Sequence, residues 1–141
     1  MITLELVTLD GLKFSDDVWE VILPTPDGLI AVFPNHMPLV SLATPGVISI
    51  RHRESDPDDK MELYATNGGV IEINDRRVRV LVDEADDSAD VVEKEVQDAL
   101  KLAQEEARNA KDQVSMDKAN QIVATQQARL KVAGLRRHKR R

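Results

Sequence analysis

The sequence predicts an N-terminal all-β sandwich or flattened barrel followed by a C-terminal antiparallel α-helical hairpin. Up to about position 84, short apolar runs alternate with turn residues, which is typical of many short strands. From about position 87, apolar residues recur at three- and four-residue steps, which is typical of helices. Proline is absent after position 57, and glycine is absent between positions 69 and 134. We therefore expect one domain over residues 1–84 and a second over residues 85–141.

Apolar runs and alternations predict the strands of the first domain, and turn signals separate most of them. Asn74-Asp75 predicts a hairpin turn between the last two strands, and the polar segment 51–60 predicts an exposed hairpin loop. The Gly68-Gly69 pair is expected to provide a positive φ or a close approach between strands. The predicted strands lie at 2–6, 19–23, 29–33, 47–50, 61–65, 70–73 and 78–82.

The second domain is expected to hold two helices of about 20 residues joined by a short connection. Ser88 or Asp90 is expected to cap the first helix. A break at 112–115 precedes the second helix, which is expected to begin with Ser115 as its cap and to stop at Gly134. The apolar stripes are Val92, Val96, Ala99, Ala103, Ala107 and Ala110 in the first helix, and Ala119, Ile122, Val123, Gln126, Leu130 and Ala133 in the second.

The stripes of the hairpin are composed mainly of alanine, which buries little apolar area, at about 25 cal/mol per Å². The hairpin is therefore expected to hold weakly, both internally and to the first domain. Stripe composition leaves two interpretations open, an element that docks and releases and a permanently packed appendage.

Composition excludes several classes of function for this chain of 141 residues. Hydrophobic residues make up 42% of it, enough for a core, and no apolar run approaches the length of a membrane span. Cysteine is absent, which excludes disulfides, thiolate metal sites and a cysteine nucleophile. Aromatic residues make up 3%, too few for a platform that stacks single-stranded nucleic acid. The N-terminal segment has no secretory signal pattern.

The net charge of −6 is unevenly distributed along the chain. Residues 1–85 carry 7 basic and 15 acidic side chains, whereas the segment 136–141, RRHKRR, carries 5 basic ones. A basic end on an acidic body indicates an acidic partner, but charge alone favours the simpler interpretation of a solvated, frayed terminus.

Residues suited to catalysis are few, and we expect no enzyme, no metal site and no cofactor. His36, His52 and His138 lack metal-ligand spacing, and no nucleophile motif accompanies His36. The acidic run at 56–59 lacks the spacing of a calcium loop, and the segment 66–69 lacks the GK[ST] of a phosphate-binding loop.

Several segments, in the right order, resemble the epsilon-subunit family of F-type rotary ATP synthases, which is called delta in mitochondria. Residues 27–40, DGLIAVFPNHMPLV, are similar to the family's signature, which typically reads DGEIGILPNHAPLV. Residues 67–73, NGGVIEI, are similar to SGGFLEV, and residues 78–85, VRVLVDEA, to VTVLADEA. An alanine-rich helical hairpin follows, so the resemblance covers nearly the whole chain.

The resemblance implies a non-catalytic subunit of the central stalk that couples rotation to proton flow. By position, His36, Met37, Pro38 and Leu39 are expected to contact the gamma subunit. Leu29 and Ile30 are expected to form the turn that faces the ring of c subunits. The family has a glutamate where this chain has Leu29, so an apolar or shape-based contact is expected there.

The resemblance also implies that the hairpin inhibits ATP hydrolysis by changing between a folded-down and an extended state. In the extended state, basic residues of the second helix are expected to meet an acidic loop of the catalytic beta subunit. The matching residues are Arg129, Lys131, Arg136 and Arg137, with Lys139, Arg140 and Arg141 beyond them.

Some bacterial members bind ATP through a first-helix motif, [IL]-D-x-x-R-A, and this chain departs from it. The gap-free match, residues 91–96, has Val92 at the aspartate position and Glu95 at the arginine position. Since a glutamate repels phosphate, weak or no ATP binding is expected.

The expected location is peripheral, on the cytoplasmic face of a bacterial plasma membrane, or on the stromal side of the thylakoid for a plastid member. The alternative function is a module that uses the basic tail to bind nucleic acid or another acidic surface. That alternative explains residues 136–141 and leaves the ordered family segments unexplained.

Overall fold

The computed structural model describes residues 1–87 and 93–139, with side chains described up to position 134 and not at position 93. Within these residues, strands fill the first part of the chain and two helices fill the second, which confirms the predicted fold class. The strands are β1 (Ile2–Thr8), β2 (Gly11–Val18), β3 (Glu20–Thr25), β4 (Gly28–Val32), β5 (Leu39–Ala43), β6 (Gly46–Arg51), β7 (Glu62–Thr66), β8 (Gly69–Ile73), β9 (Arg77–Val82) and β10 (Ala85–Asp87). The helices are α1 (Glu93–Asn109) and α2 (Gln113–Lys139).

The strands form two five-stranded sheets that pack face to face. The first sheet has the order β2-β1-β9-β8-β5, and the second has the order β10-β7-β6-β3-β4. The β1–β9 pair is parallel, with Leu4 opposite Val78, and the other described pairs are antiparallel. Alternate residues of each strand point between the sheets and form the main core, which includes Leu4, Leu6, Val21, Leu23, Ile48, Ile50, Tyr64, Ile71, Val78 and Val80.

The sequence prediction did not include three of the strands. Each of these three lacks the apolar pattern on which the prediction depended. Strand β2 is an edge strand whose residues are mostly exposed, so its sequence GLKFSDDV shows no apolar alternation. Strand β5 is also an edge strand and exposes apolar residues on its outer side. Strand β10 has three residues and pairs with β7, so the sandwich extends past the expected boundary at position 84.

The glycine pair before β8 has both of the expected roles. Gly68 has a φ of 102°, a conformation that favours glycine. At Gly69, an added Cβ would lie 1.9 Å from the Leu81 carbonyl oxygen in the adjacent strand. The sequence expectation of a positive φ or a close approach between strands is therefore confirmed at both positions.

The polar segment between β6 and β7 is a connecting loop, as predicted, and one half-buried arginine organises it. The Arg51 Nε donates to the Glu20 carboxylate at 2.7 Å, and its Nη2 lies 2.5 Å from the Asp58 carboxylate. Its Nη1 also donates to the Asp56 carbonyl oxygen. The Asp58 and Glu20 carboxylates raise the pKa of Arg51, so the loop is fixed around a permanent positive charge.

The second helix begins at a different cap from the one expected. Helix α2 starts at Gln113, and the Asp112 carboxylate accepts a hydrogen bond from the Ser115 backbone N–H at 2.7 Å. The prediction that Ser115 caps this helix is therefore wrong, and so is the prediction that the helix stops at Gly134, since α2 continues to Lys139. Asp112 takes the role because its side chain reaches a free N–H of the first turn. The caps predicted for the first helix, Ser88 and Asp90, lie outside the described residues.

The Asp112 cap is expected to make the first turn of α2 sensitive to acid. Hydrogen bonds from Ser115 lower the pKa of Asp112 below its ordinary value of 3.8. The cap's contribution is therefore present above pH 3.8 and is lost as the pH falls through the lowered pKa. The protection factor of the Ser115 amide, which corrects for the intrinsic pH dependence of exchange, should fall over that acid range. In the matched control Asp112→Asn, which keeps an acceptor that does not titrate, a protection factor that fell equally with acid would contradict this cap.

The hairpin lies folded down against the sandwich, with α2 on the outer face of β6 and β7. Alternation along β7 explains this packing, since Tyr64 points into the main core, whereas Leu63 and Ala65, with Met61 just before the strand, belong to the core shared with the helices. A second core joins the two parts and consists of Met61, Leu63, Ala65, Val96, Ala128, Val132 and Ala133. The sandwich thus has one outer face covered by its own hairpin.

The stripe predicted for the first helix is buried at Val96 and Ala103, while Val92 lies outside the described residues. The stripe predicted for α2 is only partly correct. Ile122 is 44% exposed, and Ala128 and Val132 are buried although the stripe omits them. The reason is that α2 packs on two sides, against α1 and against the sandwich, so one stripe does not describe it. Among the described residues, no helix is long and apolar enough to cross a membrane.

Candidate interface surfaces

The outer face of the first sheet carries a continuous row of apolar side chains. Register places Leu42 beside Val70, Val70 beside Leu81, Leu81 beside Val7, and Val7 beside Leu12. Leu12, Leu42 and Leu81 are 63%, 62% and 38% exposed. We call these five residues the apolar row. It crosses every strand of the sheet, and such contiguous exposed apolar surface is typical of an interaction site.

A β-bulge completes the apolar row at its β2 end. The register of β1 and β2 shifts after the Leu6–Phe14 pair, so that Lys13 is skipped and Val7 lies opposite Leu12. Phe14 packs against the main core, and the bulge turns Leu12 to the opposite face. Without the extra residue, strand alternation would place Leu12 on the same side as Phe14.

Next to the apolar row runs a row of charged side chains that neutralise one another. The Glu5 carboxylate lies 3.1 Å from the Arg79 Nε and 3.8 Å from the Arg77 Nε. Glu72 lies opposite Arg79 on the neighbouring strand, and Val40, 74% exposed, ends this row on β5. An apolar centre with a polar, paired border is the arrangement found at protein–protein interfaces.

The four residues expected to contact gamma lie in the connection before β5 and at its first position. Met37 and Leu39 are 78% and 39% exposed, Pro38 is exposed, and His36 is half-buried. The His36 Nδ1 lies 2.6 Å from the Met37 carbonyl oxygen. The segment continues directly into Val40 and Leu42 on the outer face of β5. The chain therefore leads from these four residues into the β5 end of the apolar row, and Leu39 itself pairs with the buried Ile73.

Two residues of the β3–β4 turn were expected to face the c-ring, and the structure exposes one of them and packs the other against the core. Leu29 is 67% exposed, whereas Ile30 packs against the main core. Gly28, with a φ of 118°, allows the tight turn, and the Thr25 hydroxyl donates to its carbonyl oxygen at 2.6 Å. Leu29 also borders a cavity of about 530 Å³ between this turn and α2.

The basic residues of α2 are in different states in the folded-down hairpin. Lys131 is exposed, and Arg129 is ion-paired, with its Nε 3.0 Å from the Asp86 carboxylate of β10. The side chains of Arg136 and Arg137 lie outside the described residues, as do Arg140 and Arg141.

Residues 1–88, which contain the ten described strands, match a family model described as ATP synthase, Delta/Epsilon chain, beta-sandwich domain. Relatives include the ATP synthase epsilon chain of Neisseria meningitidis serogroup B, which is 31% identical over 137 residues and 96% of each chain. That of Chromobacterium violaceum is 33% identical over 128 residues, or 90% of this chain and 89% of the other. The chain belongs to the ATP synthase delta/epsilon family.

Solved structures with the same fold come from mitochondrial ATP synthases. A chain in the Euglena gracilis ATP synthase complex of OSCP, F1 and c-ring has a TM-score of 0.77 at 19% identity. The match covers 90% of this chain and 78% of that one. A chain in the Tetrahymena thermophila central stalk and c-ring has a TM-score of 0.63 at 16% identity, covering 92% and 94%. As a member of the delta/epsilon family, this chain is a non-catalytic stalk subunit and not an enzyme by itself.

The delta/epsilon family explains the sandwich and hairpin, and the apolar row adds residues that the sequence interpretation did not name. The row residues Val7, Leu12, Leu42, Val70 and Leu81 lie outside every expected site. A signal was available for Leu81, which alternates outward between the buried Val80 and Val82 of β9. No such sequence signal was available for Leu12, because the direction of its side chain depends on the bulge.

The first two residues of the segment 91–96, which matches the position of the family's ATP-binding motif, lie outside the described part of the chain. Lys94 and Glu95 of that segment are exposed. Weak or absent ATP binding stays a prediction.

Proposed function

We propose that the chain is a central-stalk subunit of a proton-translocating ATP synthase, in which the sandwich couples rotation to the c-ring and the hairpin restrains ATP hydrolysis. The observation that carries the proposal is the uncovered apolar row on one face of a sandwich whose other face is occupied by the hairpin. A subunit between two larger partners needs such a face, because burying apolar area is the main source of association energy.

The gamma subunit is the proposed partner of the apolar row. His36, Met37, Pro38 and Leu39 lead directly into β5, which carries Leu42 of the row, so the expected gamma contacts and the row are proposed to bind the same partner. The paired charges of Glu5, Arg77 and Arg79 would form its border. Titration of the purified gamma subunit with the full chain tests this assignment. Submicromolar binding supports it, and no binding of a folded chain would reject it.

The c-ring is the proposed partner of the β3–β4 turn. Leu29 is exposed there in place of the family's glutamate, and Ile30 anchors the strand behind it in the core. The contact would therefore be apolar and set by shape. We place the chain peripherally, on the cytoplasmic face of the bacterial plasma membrane, since relatives at 31% and 33% identity are bacterial.

The catalytic beta subunit is the proposed partner of Arg129, Lys131, Arg136 and Arg137 when the hairpin extends. An extended helix with these basic residues would meet an acidic loop, and its basic end would add to that attraction. The alternative of a module that binds nucleic acid has no support from the family or from the solved structures, and its acidic sandwich would repel phosphates.

Inhibition of ATP hydrolysis is expected to weaken as salt rises. The proposed contacts are charge pairs near solvent, and added ions screen such pairs over about 10 Å at 0.1 M ionic strength. Hydrolysis by an alpha–beta–gamma complex with saturating chain should therefore be more inhibited at low than at high ionic strength. Binding to gamma, measured in the same buffers, controls for dissociation. Equal inhibition at both salt levels would contradict the electrostatic contact.

A further inference from the structure

The ion pair between Arg129 and Asp86 joins the hairpin to the sandwich. Arg129 lies on α2, and Asp86 lies on β10, where strand pairing places it opposite Ala65 of β7. The side chains of Arg129 and Asp86 are 27% and 34% exposed. This pair connects the moving part of the proposed mechanism to the sheet edge just before the connection to α1.

The pair is close but incompletely hydrogen-bonded. The Arg129 Nε is shielded from solvent and lies 3.0 Å from the Asp86 Oδ2, yet no acceptor among the described residues is aligned with its N–H. The Arg129 Nη1 donates to the Gln126 Oε1 at a long 3.3 Å. An arginine with two aligned carboxylate bonds would be held more strongly, so Arg129 can gain by exchanging Asp86 for a better acidic partner.

The ion pair and the apolar docking contacts break together. Ala128, one residue before Arg129, is buried in the second core, which also contains Ala65, the strand partner of Asp86. Separation of α2 from β7 would therefore uncover Ala128 and free Arg129 in one step. Loss of the apolar contact therefore also breaks the ion pair.

We propose that Asp86 is an internal competitor for Arg129, holding the hairpin down until an acidic loop of a partner replaces it. This proposal rests on the proposed function for the identity of the partner. Arg129 would then have two successive carboxylate partners, Asp86 in the docked state and the partner's loop in the extended state. Removing Asp86 must favour extension, whereas removing Arg129 must favour undocking and also weaken the inhibited state.

The first experiment measures docking in the full chain alone, without any ATP synthase subunit. The chain has no cysteine, so Ala128→Cys introduces a single thiol that is shielded when α2 is docked. Its labelling rate by a thiol reagent reports the undocked population. In this background, Asp86→Asn and Arg129→Gln should each raise the rate by about two- to five-fold, the range for a partly exposed ion pair. High salt should reduce the difference.

The matched control for Asp86→Asn is Asp83→Asn, which removes the same charge three residues away. Asp83 is exposed and has no ion pair among the described residues, so its labelling rate should stay at the parent value. A reversed pair, Asp86→Arg with Arg129→Asp, should restore slow labelling. Equal labelling rates in Asp86→Asn, Arg129→Gln and the parent would overturn the proposal.

The second experiment separates the proposal from the proposed function by using hydrolysis. With an alpha–beta–gamma complex, Asp86→Asn should increase inhibition, and Arg129→Gln should decrease it, although both speed labelling. Changes in inhibition of opposite sign for the two variants support competition for one arginine. If both variants change inhibition in the same direction, competition is overturned while the ion pair stands. If the parent chain neither binds gamma nor inhibits, the proposed function fails and the labelling result still decides whether Asp86 holds the hairpin.

Discussion

Leu42→Asp is expected to weaken binding of the full chain to the gamma subunit by roughly 100-fold or more. Leu42 is 62% exposed and lies beside Val70, between the rest of the apolar row and the segment 36–39, so it would be buried in the proposed interface. The change removes apolar contact area and forces a carboxylate without a partner into a dry surface, and each effect is costly. The fold should be unaffected, because the side chain points away from the core.

The measurement is a calorimetric or optical titration of gamma with the parent and the variant. Leu102→Asp is the matched control, since Leu102 is a 59% exposed leucine on α1, outside the apolar row. The control should bind like the parent, and melting temperatures should agree among all three proteins. Binding by Leu42→Asp that equals the parent would remove the apolar row from the gamma interface.

Gly69→Ala is expected to lower the free energy of unfolding by about 3 kcal/mol or more. An added Cβ would lie 1.9 Å from the Leu81 carbonyl oxygen and 2.9 Å from the Val82 Cα, both backbone atoms. Backbone atoms in the middle of a sheet cannot move aside as a flexible side chain can. Gly69 is paired with Val82, so the strain falls on β8 and β9, which hold the main core.

Thermal unfolding followed by circular dichroism measures this effect, with an expected fall in the melting temperature of about 10 °C. Gly134→Ala is the matched control, because a Cβ there has open space and the residue lies in α2. Alanine is the better helix former, so the control should be neutral or slightly stabilised. A Gly69→Ala protein as stable as the parent would show that β8 and β9 can separate at little cost.

The sequence predicts the sandwich because most of its strands bury one face, and alternate burial leaves a readable pattern. Strands 2–6 and 78–82 are of this kind, and both lie in the main core. Edge strands do not show this pattern, since Val18 is the one buried residue of β2. The helices were readable from their spacing, whereas their ends and the buried residues of α2 were not. The Asp112 cap depends on which side chain reaches the Ser115 N–H, and residue type alone does not decide that between Asp112 and Ser115.

The candidate surfaces were less accessible to sequence reasoning than the fold. The contact segment 36–39 came from the family resemblance, and nothing in its own pattern distinguishes an interface from a loop. The apolar row requires the register of five strands and a bulge, which are properties of pairing between distant segments. The Arg129–Asp86 pair likewise joins residues of separate elements. A single sequence shows each of these side chains but not their neighbours.

ATP hydrolysis by an alpha–beta–gamma complex tests the central claim most directly. It should be measured for the complex alone, with the full chain, and with a chain that stops after Asp87. Because the shortened chain loses the helices that cover Met61 and Leu63, circular dichroism must first show that its sandwich is folded. We expect both chains to bind gamma and only the full chain to inhibit hydrolysis. Equal inhibition by the two chains, or failure of the folded full chain to bind gamma, would contradict this account.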